Sequence, residues 1–429
     1  MQTVSDFLSF VQNSPTAYQA AEQIEEALRA AGYRALCQGE PFDLVPGGKY
    51  FLGQGGSAVI AFRLPQGRPT HFQIVASHSD SPSFKLKSLQ ELPSPGGLRM
   101  NVEGYGGMIR ASWMDRPLGV AGRLILRTPE GLVSRRVDLA RDALLIPSLA
   151  IHMNREVNDG QTLNAQVDML PLAGPEARAG WLSAQLAQAA SCRPEDIVGH
   201  DLFLYNRTPG SIWGADRAYF SCPRIDDLEC AYTALLAFLS AAPSEHIDVY
   251  AMLDNEEVGS GSPQGADSSL MAGVLRRIAA ALSTDYEAML AASFLVSADN
   301  AHAVHPNHPE KADEQHRCRM NEGIVVKHSA ALKYTTDALS DAVFSEIAAS
   351  VSAPIQHFWN RSDMAGGSTL GHLLARHASM SAVDIGLAQL AMHAAYETAG
   401  TADPDFMVSA LRAFYETDIG ITPRGATLR

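Results

Sequence analysis

The sequence predicts an α/β protein in which a β-rich segment interrupts a domain of strands and helices. Short apolar runs with the length of buried strands, such as 247–253 and 291–298, lie next to longer stretches of helical periodicity. Between about 88 and 218 the chain changes to Gly-rich, β-like segments with one predicted helix. A chain of 429 residues also exceeds what one hydrophobic core usually organises, so we expect two domains, one inserted into the other.

The first 76 residues predict two helices and three strands. Apolar side chains recur at helical spacing across 5–32 around a break at Asn13-Ser14-Pro15, and Gly32 is of the residue type that commonly ends a helix. Three short β-type runs follow, separated by Gly, Pro and Gln turns. These predicted strands are 50–52, 58–63 and 72–76.

The remainder of the chain predicts further elements from the same two periodicities. Within the insertion the predicted strands are 102–107, 122–127 and 132–137, and the predicted helix is 176–190. After the insertion the predicted strands are 247–253, 291–298, 323–327 and 380–386. The predicted helices in that part are 231–241, 268–282, 336–351 and 404–415.

The composition limits the partners and the compartment that we expect. A formal net charge of −14 at pH 7 argues against nucleic acid and against an anionic membrane, since either polyanion would be repelled. No stretch is apolar enough to span a bilayer, and the N-terminus lacks the pattern of a secretory signal. The five cysteines are scattered without a CxxC pair, which is typical of a reducing compartment. We expect a cytoplasmic protein.

The most informative stretch follows the predicted strand 247–253, which ends in Asp254-Asn255-Glu256-Glu257 before a Gly/Ser-rich turn. In open α/β sheets, ligands collect at the carboxyl ends of strands, and adjacent carboxylates repel unless a cation or a shared proton lies between them. Glu257 could therefore hold a metal while Glu256 stays free as a general base. A solvated acidic turn is equally compatible with these residues alone.

Three other positions have an ordinary and a functional interpretation. His78 and Asp80 have the spacing at which a carboxylate orients a metal-bound imidazole, but also that of a common surface hydrogen-bonded pair. Asp226 or Asp227 could bind a metal or simply cap the helix that follows. His152 ends an apolar run, and on the residues alone a structural histidine is the favoured interpretation.

Asp299 and His393 each follow a predicted strand. With His78, Asp226 and Glu257 they form a set of residues that could hold a pair of divalent ions. Two divalent ions that share one bridging carboxylate, and are each completed by one imidazole and one further carboxylate, need two histidines and three acids. Asp226 would bridge the ions, and His78 and Asp299 would complete one of them. Glu257 and His393 would complete the other. Zinc, cobalt and manganese all suit such nitrogen and oxygen ligands.

These segments resemble the M18 aminopeptidases, the aspartyl aminopeptidase group of dinuclear zinc exopeptidases, over nearly the whole chain. The most specific match is Asp254-Asn255-Glu256-Glu257-Val258-Gly259-Ser260. The other matching motifs include Ser77-His78-Ser79-Asp80-Ser81-Pro82, Tyr105-Gly106-Gly107, Pro223-Arg224-Ile225-Asp226, Ser297-Ala298-Asp299, Gly367-Ser368-Thr369 and Ala391-Met392-His393.

The resemblance implies a fold and an assembly. The fold is a mixed-sheet α/β/α zinc exopeptidase domain, made of residues 1–87 and 219–429, with an inserted β-rich dimerisation domain at 88–218. The implied assembly is a tetrahedral dodecamer built from dimers, with the active sites facing an interior chamber that admits short peptides. The chain departs from the family at Asp227, where Asn is common, and at Met364-Ala365-Gly366, where a cysteine-containing loop is usual.

The resemblance also implies residue roles. The five metal ligands agree with the chemical assignment above, with two zinc ions per subunit. Glu256 corresponds to the catalytic base, and Asp80 to the acid that orients the first histidine. His152 corresponds to a residue that reaches into a neighbouring subunit's site. The resemblance therefore implies a functional role for His152, whereas the residues alone favour a structural one.

We therefore predict a metalloaminopeptidase that removes an N-terminal Asp or Glu from short peptides. That preference requires a cation in the first side-chain pocket, for which the candidates are Lys327, Lys333 and Arg361. The alternatives are the same site with an apolar preference, an N-acyl amino acid amidohydrolase, and a non-catalytic assembly protein.

Overall fold

The computed structural model describes residues 1–422 and 424–429. The helices in these residues are α1 (Gln2–Gln12), α2 (Ala17–Ala30), α3 (Trp181–Ala189), α4 (Ile225–Ser240), α5 (Leu270–Ala281), α6 (Tyr286–Ala291), α7 (Ala338–Ser350), α8 (Leu370–His377) and α9 (Asp403–Glu416).

The strands begin with β1 (Arg34–Ala35), β2 (Lys49–Gln54), β3 (Ala58–Arg63), β4 (Phe72–His78), β5 (Ser83–Leu86), β6 (Leu92–Ser94), β7 (Gly97–Arg99), β8 (Val102–Tyr105), β9 (Leu118–Thr128), β10 (Gly131–Asp138), β11 (Leu172–Gly174) and β12 (Ile197–Asn206). They continue with β13 (Ser211–Trp213), β14 (Tyr219–Cys222), β15 (Ile247–Leu253), β16 (Phe294–Ala298), β17 (Ala301–His302), β18 (Ile324–His328), β19 (Ile355–Trp359), β20 (Ser381–Leu390), β21 (Glu397–Gly400), β22 (Ile419–Thr422) and β23 (Gly425–Leu428).

A large mixed sheet forms the centre of the molecule. Its strand order is β1-β2-β3-β15-β4-β16-β20-β21-β14-β13, and β17, β18 and β19 attach beside β20. The neighbours β15, β4, β16 and β20 run parallel to one another, whereas β3 is antiparallel to β15. The carboxyl ends of these four parallel strands therefore meet at one edge of the sheet.

The central strands are apolar on both faces because helices cover both sides. All residues of β3, β4, β15 and β16 are buried. Along β3, Val59 and Ala61 belong to one core cluster with residues of α1, α2, α4, α7 and α9. Ile60 and Phe62 belong to a second cluster, with α5, α6 and α8. This alternation confirms the α/β/α layers.

A second, five-stranded antiparallel sheet has its own core. Its order is β10-β9-β12-β5-β8, and Leu182 and Leu186 of α3 pack in the same cluster as residues of these strands. The chain leaves the large sheet after β4 and returns to it at β13 and β14. The boundaries at 88 and 218, and a role of this part in dimerisation, remain predictions.

Most predicted elements are present, and two lie at the predicted residues. Strands 58–63 and 247–253 match β3 and β15. Elements that were not predicted include the strands β12, β14 and β19, the helices α6 and α8, and the hairpin of β22 and β23. None of the helices in the described residues has the length and apolar character that crossing a membrane requires.

Candidate metal centre

The five predicted metal ligands converge at the carboxyl edge of the large sheet. His78 is the last residue of β4, and the register of β4 with β15 places it opposite Leu253, three residues before Glu256. Asp299 directly follows β16, and His393 follows β20. Asp226 lies at the start of α4, just after β14, and β14 runs parallel to β20 because both strands are antiparallel to β21. Their approach is a consequence of strand order, since the parallel strands are neighbours in the sheet.

Asp226 lies between the two imidazoles. Its Oδ1 is 3.4 Å from His78 Nε2, and its Oδ2 is 3.3 Å from His393 Nε2. Burial would raise the pKa of Asp226, but the adjacent imidazoles of His393 and His78 outweigh burial and hold this pKa below its usual range. One carboxylate facing two imidazoles through separate oxygens is the arrangement of a bridging ligand.

The remaining predicted ligands complete two groups around Asp226. In the first group, Asp299 Oδ1 lies 3.9 Å from His78 Nε2. In the second, Glu257 Oε1 lies 3.3 Å from His393 Nε2. Within each group the ligand atoms lie within 4.8 Å of one another. The structure thus brings the five predicted ligands together in the two sets predicted for two ions, with Asp227 as an additional member of the first group.

Asp226 and Asp227 do not cap α4. Both have non-helical backbone angles within the first residues of that helix, and its N-cap has no side-chain hydrogen bond in the described chain. Asp227 Oδ2 instead accepts a hydrogen bond from the His78 backbone N–H at 3.0 Å. The two aspartates therefore face the candidate metal centre rather than the helix end.

Asp80 orients not only His78 but also other parts of the site. The imidazole Nδ1 of His78 lies 3.1 Å from the Asp80 carbonyl oxygen and 3.4 Å from its Oδ1. The Asp80 carboxylate also accepts hydrogen bonds from the backbone N–H groups of Glu256 and Glu257, each at 3.1 Å, and from the Tyr105 hydroxyl at 2.7 Å. One side chain thus fixes both the first histidine and the acidic turn.

Glu397 is a positioning residue that the sequence analysis missed. Its Oε2 accepts hydrogen bonds from the backbone N–H groups of Ile225 and Asp226, at 2.6 and 3.2 Å. Its Oε1 accepts a hydrogen bond from the backbone N–H of His393 at 2.7 Å. Glu397 is buried and holds two ligand-bearing segments that are distant in sequence. No local motif marks such a role, because the partners are backbone amides.

Glu256 borders an open space beside the ligands. It lines a cavity of about 310 Å³ together with Asp226, Asp299, His393 and Lys327. Burial raises the pKa of Glu256 to about 8, with the neighbouring carboxylates adding to the effect. A carboxylate with a pKa close to neutral, next to a cavity, is suited to proton transfer.

The donor set fits divalent metal ions. Burial raises the pKa of Glu257 to about 7 and that of Asp299 to about 6, so burial opposes the negative charge of these two carboxylates. Among the described atoms, Asp226 Oδ1 and Glu257 Oε1 are buried without a hydrogen-bond partner. Cations bound between these oxygens and the imidazoles would neutralise the buried charge and give the two oxygens a partner. Zinc accepts this mixture of nitrogen and oxygen ligands.

Of the other candidate residues named from the sequence, Lys327 lies at this cavity, and Lys333, Arg361 and His152 do not line it. Lys327 lines it, whereas Lys333 donates hydrogen bonds to the carbonyls of Ala365 and Gly366. Arg361 is paired with Asp363. His152 lies on an exposed segment and is not among the described residues that line the cavity. Its role toward a neighbouring subunit remains a prediction.

Comparison with known proteins identifies the family. Residues 10–415 match the profile of "Aminopeptidase I zinc metalloprotease (M18)". A "Probable M18 family aminopeptidase 2" of Clostridium acetobutylicum is 39% identical over 427 residues, covering 97% of this chain and 99% of that protein. The corresponding protein of Streptomyces coelicolor is 37% identical over 423 residues, covering 96% and 97%.

Solved structures of related proteins share the fold. The cryo-EM structure of the Ape4 and Nbr1 complex contains a chain that matches with a TM-score of 0.93 and 31% identity, covering 96% of this chain and 85% of that one. The mApe1 dodecamer of Saccharomyces cerevisiae matches with a TM-score of 0.84 and 26% identity, covering 96% and 95%.

Fold, site and sequence matches define a metal-dependent aminopeptidase, a protease of the EC 3.4.11 type. The chain belongs to the M18 family of zinc aminopeptidases. The predictions of the family, the fold class and the enzyme class are confirmed.

Proposed function

We propose that this aminopeptidase uses two zinc ions per subunit and Glu256 as general base to remove an N-terminal Asp or Glu from short peptides. The observation that carries the proposal is the position of Asp226 between two imidazoles, beside a glutamate that borders a cavity. Asp226 would be shared by both ions, with cobalt or manganese as possible substitutes.

The chain's own residues account for the proton transfers. When bound, zinc supplies Lewis acidity, which lowers the pKa of water and polarises a carbonyl group. Glu256 accepts the proton of the attacking water and returns it to the amine that leaves. The Asp80 carboxylate accepts a hydrogen bond from the backbone N–H of Glu256 and so holds the backbone of the base in place. The position of the base therefore does not depend on a contact made by its own carboxylate.

Lys327 supports the acidic preference. Among the three candidate cations it is the one that lines the cavity beside Glu256. Its Nζ donates a hydrogen bond to the Asn300 carbonyl at 2.7 Å and lies 3.6 Å from Asp299 Oδ2. With a metal ion bound to Asp299, the charge of that carboxylate is shared, and the ammonium group can attract the carboxylate of a substrate side chain.

An apolar first-residue preference is the second candidate, because Tyr334 and Phe358 line the same cavity. Hydrolysis rates of Asp, Glu and Leu aminoacyl amides by wild type and Lys327→Met separate the two. Acidic preference predicts faster hydrolysis of the Asp and Glu amides, and its loss in Lys327→Met with Leu hydrolysis retained. Faster hydrolysis of the Leu amide by the wild type would establish the apolar preference instead.

The same assay tests the remaining alternatives. N-acetyl-Asp and chelator-treated enzyme are included as further arms. An amidohydrolase would cleave the acetylated substrate and spare the free amine, and an assembly protein would cleave neither. The proposed enzyme cleaves only the free amine, and chelator abolishes the activity.

We further propose that the subunits form a dodecamer and that the insertion contributes the dimer contacts. A related protein has been solved as a dodecamer. The segment around His152 exposes large apolar side chains, with Leu149, Ile151 and Met153 exposed by 58%, 48% and 75%. Such an apolar segment is typical of a surface that a second subunit covers. Light scattering at assay concentration measures the assembly, and a monomer there would contradict the proposal.

A further inference from the structure

A second group of metal-type ligands lies outside the candidate metal centre. It consists of His328 in β18, His357 in β19 and Asp341 in α7. The parallel register of β18 and β19 pairs His328 with Trp359 and Val326 with His357. Since side chains alternate along strands, these four residues project from one face of the sheet.

The helix α7 packs on that same face. Val326 belongs to the core cluster that also contains Val343 and Phe344 of α7. Asp341 lies in the first turn of this helix, which brings its carboxylate over the two histidines. The convergence of the three side chains thus follows from the strand register and from the packing of one helix.

The three ligand atoms form a compact triangle. His328 Nε2 is 3.1 Å from His357 Nδ1, and Asp341 Oδ2 is 3.6 and 3.7 Å from these two nitrogens. A zinc ion bound at about 2.0–2.2 Å holds neighbouring ligand atoms roughly 3–3.6 Å apart. At the candidate metal centre, imidazole nitrogens and the predicted carboxylate ligands lie 3.3–3.9 Å apart. The two sites therefore have nearly the same ligand spacing.

The side chains are held in place by other contacts. The His328 ring stacks on the Trp359 ring, with centroids 5.0 Å apart and an interplanar angle of 4°. Ser345 donates a hydrogen bond to Asp341 Oδ1 at 3.0 Å, which leaves Oδ2 directed at the imidazoles. Supporting contacts of this kind commonly orient the ligands of a metal ion.

A hydrogen bond between the two histidines explains only part of this arrangement. That bond satisfies His328 Nε2 and His357 Nδ1, but Asp341 Oδ2 lies beyond hydrogen-bond distance of both nitrogens. A cation at the centre of the triangle would satisfy all three atoms. The group lines a surface cavity of about 460 Å³, so an ion and water ligands can reach it.

We propose that His328, Asp341 and His357 bind a divalent transition-metal ion of the zinc type, separate from the catalytic ions. Three protein ligands leave further coordination positions for water. The ion would join β18, β19 and α7. Lys327 precedes His328 and projects from the opposite face of β18 into the catalytic cavity, so the new site lies behind a residue that lines that cavity.

The test compares zinc content among variants of the full-length protein. Wild type, His357→Ala and Asp341→Asn are saturated with zinc, desalted and analysed for zinc per subunit. His308→Ala is the matched control, since His308 is a surface histidine paired with a carboxylate, Glu310, at 3.2 Å. We expect the wild type and the control to hold one more zinc ion per subunit than either cluster variant. The same difference is expected in an Asp226→Ala background, which makes the result independent of the catalytic ions.

A cobalt titration provides a second readout. We expect a visible absorption component in the wild type that is lost in His357→Ala, and an affinity at least tenfold weaker in Asp341→Asn. The aminopeptidase activity of the zinc-loaded variants and the melting temperature of the apo variants confirm that they are folded. Equal zinc counts and equal cobalt spectra in wild type and both cluster variants would overturn the proposal.

Discussion

Glu256 and Glu257 are adjacent in sequence but have different surroundings. Glu257 faces His393 at 3.3 Å and belongs to a ligand group, whereas Glu256 borders the cavity. The backbone N–H groups of both are held by Asp80, so the short turn directs the two side chains apart. Two neighbouring carboxylates can therefore serve as ligand and as base.

Glu256→Gln is expected to retain its metal ions and to lose turnover. Glutamine has nearly the same shape but cannot accept the proton of water, and a general base contributes about 10²–10⁴-fold to the rate. Metal analysis and kcat on an Asp aminoacyl amide check this outcome. Full activity in this variant would show that another group acts as base.

Glu397→Gln is expected to weaken zinc binding by about 10–100-fold, as is typical for residues that orient metal ligands. The carboxylate accepts hydrogen bonds from three backbone N–H groups, and an amide nitrogen in place of one oxygen would face a donor instead of accepting from it. Zinc affinity from chelator competition measures the effect. Glu416→Gln, which removes a carboxylate far from the centre, is the control, and equal affinities in both variants would contradict the assigned role.

At the scale of elements, the strands that carry the site were predictable and their neighbours were less so. The strand 247–253 is apolar at nearly every position and is followed by acids and glycines, which is typical of a buried strand. The strand β20 extends to Leu390, beyond the predicted end at 386, because it also pairs with β17 and β21. The strand β19 has mixed burial and carries no comparable pattern.

The second sheet offers a pH-dependent prediction. Asp201 on β12 bonds to Lys85 on β5 at 2.8 Å and to Arg123 on β9 at 2.9 Å, and so connects three strands. Burial would raise the pKa of Asp201, but the hydrogen bonds to Lys85 and Arg123 outweigh it and lower the pKa. A lowered pKa in the folded state means that the stabilisation is complete above the unfolded value, about 3.9, and is lost as the pH falls through the folded value.

Asp201→Asn is therefore expected to lower the melting temperature at pH 5–8, with the difference from wild type shrinking below about pH 4. Thermal melts across this range measure the effect. Asp43→Asn removes a carboxylate that is 87% exposed and should change little. A difference between wild type and Asp201→Asn that persists unchanged in acid would show that packing, and not charge, is responsible.

At the scale of the whole molecule, the convergence of the ligands could not be derived from local patterns. Nothing in the sequence between His78 and Asp299 states that β4 and β16 are neighbours, and Glu397 acts only on backbone groups. The chemistry of residues at predicted strand ends indicated the set of ligands, the resemblance to a family agreed with it, and the structure gives the strand order that brings them together. The proposed role of His152 depends on the assembly, because it acts on the site of a neighbouring subunit.

Mixed assemblies test the proposed role of His152. Glu256→Gln and His152→Ala are each expected to be inactive, because one lacks the base and the other lacks the residue supplied to its partner. Random co-assembly should restore about a quarter of wild-type activity, since half of the dimers are mixed and each has one intact site. Recovery is measured after dissociation and joint reassembly. No recovery, with mixed dimers verified by tagging, would mean that His152 does not act across subunits.

The zinc count of the catalytic centre tests the central claim most directly. In a His357→Ala background, which removes the further proposed site, the protein is expected to hold two zinc ions per subunit. Asp226→Ala should hold fewer than one, because both ions lose their shared ligand, and His393→Ala should keep one. A single zinc ion per subunit in the background protein, or two ions retained without Asp226, would contradict a bridged pair of ions.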